Sequence, residues 1–188
     1  GDVAVLPGLV NAHTHLELSY LRDAIPPAAA FVTWIRGVMR ARRQRPDAAS
    51  DEILDGVRTG IDEALRCGTA LVGDISNTLV PFDALSKSAL GGVLFYELIR
   101  FNAPDPDGLV AEACRQLDAL PRGGEVRSSL AAHAPYSVSP LVFRAISRAI
   151  AERPSAPCSV HLSESREEVE FLETGGGAWR ALVFSRLL

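Results

Sequence analysis

Lysine occurs once in the 188 residues, at Lys87, and cysteine three times, at Cys67, Cys114 and Cys158. The cysteines lie far apart and form no Cys-x-x-Cys, which excludes a disulfide framework and a zinc ribbon and fits a reducing cytoplasm. No stretch approaches the ~20 consecutive apolar residues of a membrane span, and the N-terminus lacks the charged-then-apolar layout of a signal peptide. A soluble cytoplasmic protein is therefore expected. An excess of positive charge is missing as well: a net charge of −4 leaves no basic footprint for nucleic acid. The one basic block, Arg40 to Arg45, reads as a solvated helix end whose cations favour the C-terminal dipole. Low-complexity tracts and internal sequence repeats are missing too.

What is present is apolar: 47% of the residues are hydrophobic, enough for one sizeable core. An apolar run (Val3, Val5, Leu6, Leu9, Val10) leads into Asn11-Ala12-His13-Thr14-His15-Leu16-Glu17. On a strand alternate residues share a face, so His13 and His15 point the same way about 7 Å apart, within reach of one metal ion. The pair alone is read equally well as an accident of alternation on a half-exposed strand.

Leu18 to Ala30 reads as a loop closed by Pro26-Pro27, followed by a short helix from Phe31. On that helix Trp34 either lines a pocket or packs on a rim. Ser50 is placed to cap a helix with Ile53, Val57, Ile61 and Leu65 on one face, ended by Gly68. Strands follow over 69–75, 92–99, 126–133 and 157–161, separated by helices over 83–89, 109–120 and from Ser139-Pro140 onward, with a Pro/Asp/Gly loop at 102–108. Asp74 and Asn77 fall at the C-terminal end of the second strand. Ser165 and Glu168 form a capping box, which leaves Glu164 just outside the last helix.

Five βα units in a row mean a parallel sheet with crossover helices, either doubly wound or a (β/α)8 barrel. No glycine-rich phosphate fingerprint follows the first strand, and histidines end strands one, four and five, which favours an α/β TIM-type barrel with only strands 1–5 present in this chain.

The segments Pro7-Gly-Leu-Val-Asn-Ala-His-Thr-His-Leu-Glu17, His133-Ala-Pro-Tyr136 and His161-Leu-Ser-Glu164, in that order, resemble the amidohydrolase superfamily, in its cytosine-deaminase-like and adenosylhomocysteine-deaminase-like branch. The resemblance implies that residues 1–188 are the N-terminal portion of a metal-dependent hydrolase. A further metal-site histidine after strand six, an aspartate after strand eight and a flanking β-sandwich are not in the sequence. It implies His13, His15 and His161 as metal ligands and Glu164 as the catalytic acid/base of the His-x-x-Glu motif. His133 is implied to be substrate-binding, where some members instead place a carboxylated lysine that bridges two metals. Lys87 lies in a helix between strands two and three, so one divalent metal is expected, zinc first and iron second.

The implied reaction is hydrolytic deamination of an adenine-type nucleoside or a related amino-substituted ring, with Glu164 moving the protons. The His-x-Glu and Pro-Cys-x-x-Cys signature of the nucleic-acid zinc deaminases is absent. Phe171 to Gly177 looks most like a subgroup that includes aminodeoxyfutalosine deaminases, whose benzoate would call for an arginine. Arg36 and Arg40 are the candidates, beside Trp34. The end from Trp179 to Phe184 departs from the family's usual continuation. Two alternatives stand beside this reading: a chlorohydrolase on the same scaffold, and a non-catalytic metal-binding or assembly fragment. The partners implied are a small-molecule substrate and, for assembly, a homodimer.

Overall fold

The computed structural model describes residues 1–122, 124–153 and 157–184. Five parallel strands lie side by side in sequence order: β1 (Leu9–Thr14), β2 (Thr69–Ser76), β3 (Gly91–Leu98), β4 (Val126–Ala132) and β5 (Ser159–Val160). Between them run the helices α1 (Phe31–Arg43), α2 (Asp51–Arg66), α3 (Pro81–Ser86), α4 (Pro106–Asp118) and α5 (Pro140–Ala151), and after β5 come α6 (Arg166–Thr174) and α7 (Gly177–Phe184). This is five-eighths of a βα barrel, wound as parallel crossovers require.

The two-residue period of the strands sorts the side chains onto two faces. Even-numbered Val72, Leu94, Leu130 and Ala132 meet the helix layer, where Val57 and Ile61 of α2, Leu85 of α3, Val110 and Leu117 of α4 and Val142 and Ile146 of α5 are buried. Odd-numbered Ile75, Val93, Phe95 and Ala131 form a separate cluster on the inner face. One step further along that inner face, at the C-terminal ends, the same odd count reaches His15, Asn77, Glu97, His133 and His161.

Two helices start as their sequences dictate. The Ser139 hydroxyl accepts from Val142 N–H at 3.3 Å with Pro140 behind it, and the Ser165 hydroxyl accepts from Glu168 N–H at 3.1 Å. Gly68 follows α2 with φ +81, the left-handed conformation that suits glycine. Ser50 precedes α2 as expected, yet its hydroxyl makes no capping bond and is left buried without a partner. Helix α4 begins at Pro106, three residues before the expected start, because the Asp105 carboxylate accepts from Gly108 N–H at 2.9 Å. The Pro/Asp/Gly cluster read as loop thus contains an N-cap.

Two further readings are corrected, and one segment without an expected structure is seen to be helical. The first strand starts at Leu9, and Val3, Val5 and Leu6 before it are exposed. Leu9 and Val10 are themselves 62% and 65% exposed, and among the described residues β1 pairs only with β2. The loop after β1 opens with a 3₁₀ turn, Leu16–Leu21, pressed against α2 so closely that a Cβ on Gly56 would sit 2.7 Å from the Tyr20 nitrogen. The segment after Gly177 forms α7, whose Trp179 is fully buried 4.4 Å, ring to ring, from Tyr136.

Candidate metal centre

His13 is the penultimate residue of β1 and His15 the first beyond it, while His161 directly follows β5. The backbone ladder continues past the strands and fixes their ends: His133 N–H donates to Leu98 O at 3.1 Å and His161 N–H to His133 O at 2.7 Å. The sheet's curvature then brings together residues 146 positions apart. His15 Nε2 lies 3.2 Å from His13 Nε2 and 3.3 Å from His161 Nε2.

Ring nitrogens at these distances can share protons as Nε2–H···Nε2 hydrogen bonds or turn their lone pairs on one cation. Zinc–imidazole bonds of about 2.0–2.1 Å in a tetrahedron separate the nitrogens by about 3.3–3.4 Å, so the observed spacing fits a shared ion. At His13 and His15 the electrostatics agree with ligand duty, which requires neutral imidazole. Burial first, and then the neighbouring His161, lower the pKa of His13. His15 is lowered likewise by burial, against an opposing pull from Glu97.

Behind His161 stands Glu97, a carboxylate 5% exposed near the end of β3. Its Oε1 is 3.1 Å from His161 Nδ1, an ion-pair distance whose angle is too bent for a hydrogen bond, so that among the described residues both buried atoms lack a hydrogen-bond partner. Its Oε2 accepts from Asn77 Nδ2 at 2.8 Å. Burial pushes the Glu97 pKa up, but His161, His133 and Asn77 together outweigh it and hold the carboxyl below its usual value. At His161 burial pulls down and Glu97 more than compensates, leaving the imidazole above its ordinary range. Glu97 was not singled out from the sequence, although a carboxylate inside the run Gly92 to Ile99 is costly unless paired and was itself a signal.

Glu17, quoted above only as part of the first motif, is 4% exposed and accepts from Ser76 Oγ, Thr78 Oγ1, Asn77 N–H and Arg42. Arg42 also donates to Asn77 Oδ1 at 2.9 Å. The basic block is therefore only partly a solvated helix end: Arg42 is anchored under the site, and Arg45 pairs with Glu52 over the Tyr20 ring. On the opposite, helix-facing side of the sheet, fully buried Asp74 accepts from Leu16 N–H at 2.7 Å and so shapes the turn that carries His15.

His133 joins the inner cluster, with its ring 4.9 Å from that of His161. Ser137 Oγ lies 2.5 Å from His133 Nδ1 and 3.1 Å from the Ala134 carbonyl; with its one proton on the carbonyl it accepts from His133 Nδ1–H. That leaves His133 Nε2 as an acceptor. Burial lowers the His133 pKa to about 4, which keeps the ring neutral. Glu164 follows in an exposed turn pinned by Glu168, whose buried carboxylate accepts from both Ser163 and Glu164 N–H. Burial first, then Glu168 and Glu97, raise the Glu164 pKa against the pull of His161. Trp34, 37% exposed, stacks at an angle on Phe31, while Arg36 and Arg40 are exposed on α1, with no hydrogen bond or ion pair to the cluster. Helix α1 itself does reach the region, because Val32 packs with Ala134, Tyr136 and Trp179.

A parallel βα array that gathers imidazoles at its C-terminal strand ends holds them at the face where βα barrels carry their active sites. Residues 4–181 match the amidohydrolase family, and the chain belongs to it. It is 34% identical over 179 residues to the aminodeoxyfutalosine deaminase of Deinococcus radiodurans, and 29% identical over 174 to the adenosine deaminase of Helicobacter pylori. Each similarity takes in 92% of this chain, which spans 40% and 41% of those relatives' lengths. The crystal structure of Helicobacter pylori aminofutalosine deaminase with methylthio-coformycin superposes with a TM-score of 0.83 at 27% identity, over 97% of this chain and 43% of that one. The atrazine chlorohydrolase of Arthrobacter aurescens, complexed with zinc, shares the fold with a TM-score of 0.73 at 21% identity, over 94% and 45% of the two chains. Among the described residues, no helix is long and apolar enough to cross a membrane.

Proposed function

We propose that the full-length protein is a metal-dependent hydrolase of carbon–nitrogen bonds that deaminates an adenine-type nucleoside, aminodeoxyfutalosine being the leading candidate. His13, His15 and His161 hold its single divalent metal, zinc ahead of iron. The observation that carries this reading is the convergence of His13, His15 and His161, with His15 Nε2 at the spacing of a tetrahedral ion from each of the other two and the three ligand atoms within 4.8 Å of one another. When bound, such a metal lowers the pKa of a coordinated water to about 7. Glu164 passes a proton from the attacking water to the ring nitrogen beside the attacked carbon and then carries the proton of the new hydroxyl to the departing ammonia; burial raises its carboxyl above the usual value, the direction that favours a proton donor. His133, neutral and with Nε2 free to accept, orients the substrate.

Helix α1 forms a wall of the pocket, with Trp34 as an apolar face and Arg36 and Arg40 as partners for a carboxylate on the substrate. The sole lysine, Lys87, is paired with Asp83 at the end of α3, which leaves no lysine to bridge a second metal. Similarity to adenosine and aminodeoxyfutalosine deaminases supports an aminopurine nucleoside as substrate. Three free cysteines support a reducing cytoplasm as its compartment. The test is release of ammonia from adenine nucleosides, with and without a benzoate substituent, by the zinc-loaded full-length protein. Chloride release from chlorotriazines without any ammonia release would contradict it.

A further inference from the structure

The contacts behind His161 have a direction that bonding chemistry alone determines. Arg42 can only donate, so the Asn77 atom it touches at 2.9 Å is the acceptor, Oδ1. The backbone carbonyl of Glu97 can only accept, so the Asn77 atom 3.3 Å from it is the donor, Nδ2. Asn77 is thereby locked from both sides, with its amide donating to Glu97 Oε2 at 2.8 Å. Glu17 holds the same residue by accepting from its backbone N–H at 3.1 Å and pairing with Arg42. What remains of Glu97 is Oε1, another obligatory acceptor, facing His161 Nδ1 at 3.1 Å.

We propose that Arg42, Asn77 and Glu97 form a polarised chain that fixes the tautomer of His161, with the proton on Nδ1 and the Nε2 lone pair turned toward His15. Glu97 is thus the positioning residue for the metal centre, while Asn77 sets only which end of residue 97 faces it, an inference that rests on the metal reading above. A ligand histidine whose second nitrogen is held by a carboxylate is oriented and made more basic, and losing such a partner typically weakens metal binding by roughly 10–100-fold.

Glu97→Gln sharpens the claim. Asn77 still donates, so the glutamine oxygen must stay on that side, and its NH2 then confronts His161 Nδ1. The imidazole is forced to carry its proton on Nε2, the atom that faces the other histidines. Removing the lock with Asn77→Ala lets the glutamine turn its oxygen toward His161 and restores the original tautomer.

The experiment is zinc affinity by chelator competition in the full-length protein for the parent, E97Q, N77A and the double variant. The ring nitrogens of His161 are read in parallel by 15N NMR of the zinc-free proteins, at a pH where imidazoles are neutral. The expected result is one zinc per chain throughout, E97Q roughly 10–100-fold weaker, N77A near the parent, and the double variant tighter than E97Q. The zinc-free parent should carry its proton on Nδ1 and E97Q on Nε2. Parent-like affinity in E97Q, a double variant no tighter than E97Q, or two zinc ions per chain with Glu97 as a ligand would overturn the inference. A parent that binds no zinc sinks the metal reading alone. The tautomer then still decides this one, and a parent proton on Nε2 refutes it.

Discussion

Glu164 and Asp74 are both carboxyl groups held above their usual range, one at the mouth of the sheet and one on its helix-facing side. Glu164→Gln keeps the shape of its turn, because Glu168 pins that turn through backbone N–H groups, and removes only the proton donor. The full-length variant should keep its metal and melt near the parent, while kcat falls by about 10²–10⁴ with KM little changed; steady-state kinetics with metal analysis check this, and loss of the metal would reassign the residue. Asp74 is raised to about 7, by burial first, with Glu17 adding and the bond from Leu16 N–H opposing. The unfolded chain has a carboxyl pKa near 3.9, so between about 4 and 7 the folded state binds the extra proton and stability falls as pH rises. Asp74→Asn keeps an acceptor for Leu16 N–H and cannot ionise. Its melting temperature should therefore exceed the parent's by a margin that grows from about pH 5 to about pH 8, as calorimetry across that range would show.

At the scale of elements, caps that make their bond differ from those that only look right. Ser139→Ala removes the acceptor for Val142 N–H and should cost about 0.5–2 kcal/mol. Ser50→Ala, at a position of equal promise in the sequence, removes a hydroxyl that caps nothing and leaves one fewer buried polar atom unpaired. Denaturant unfolding should find Ser50→Ala neutral or slightly stabilising. Elements with a local signature were legible: the apolar runs of β2, β3 and β4, the serine–proline start of α5 and the capping serine of α6. Features set by distant partners were not. Exposure of β1 depends on what covers it, the early start of α4 on one aspartate side chain, and α7 on burial of Trp179 against Tyr136.

Over the whole molecule, the sheet does what no local pattern specifies, bringing His13 and His15 against His161 across 146 residues. The three histidines and the carboxylate after the fifth strand could be singled out because each stands beside a short motif. Glu97, Asn77, Glu17 and Arg42 stand beside none. Their pairing exists only once β2, β3 and α1 are stacked, so it was invisible until the odd-numbered faces were aligned. The central claim is that the histidines of β1 and β5 hold one metal ion between them. Its most direct test is elemental analysis of the full-length protein with His15→Ala and His161→Ala alongside. The account predicts one zinc or iron per chain in the parent and none retained in either variant; two ions in the parent, or a full equivalent kept by the variants, would contradict it.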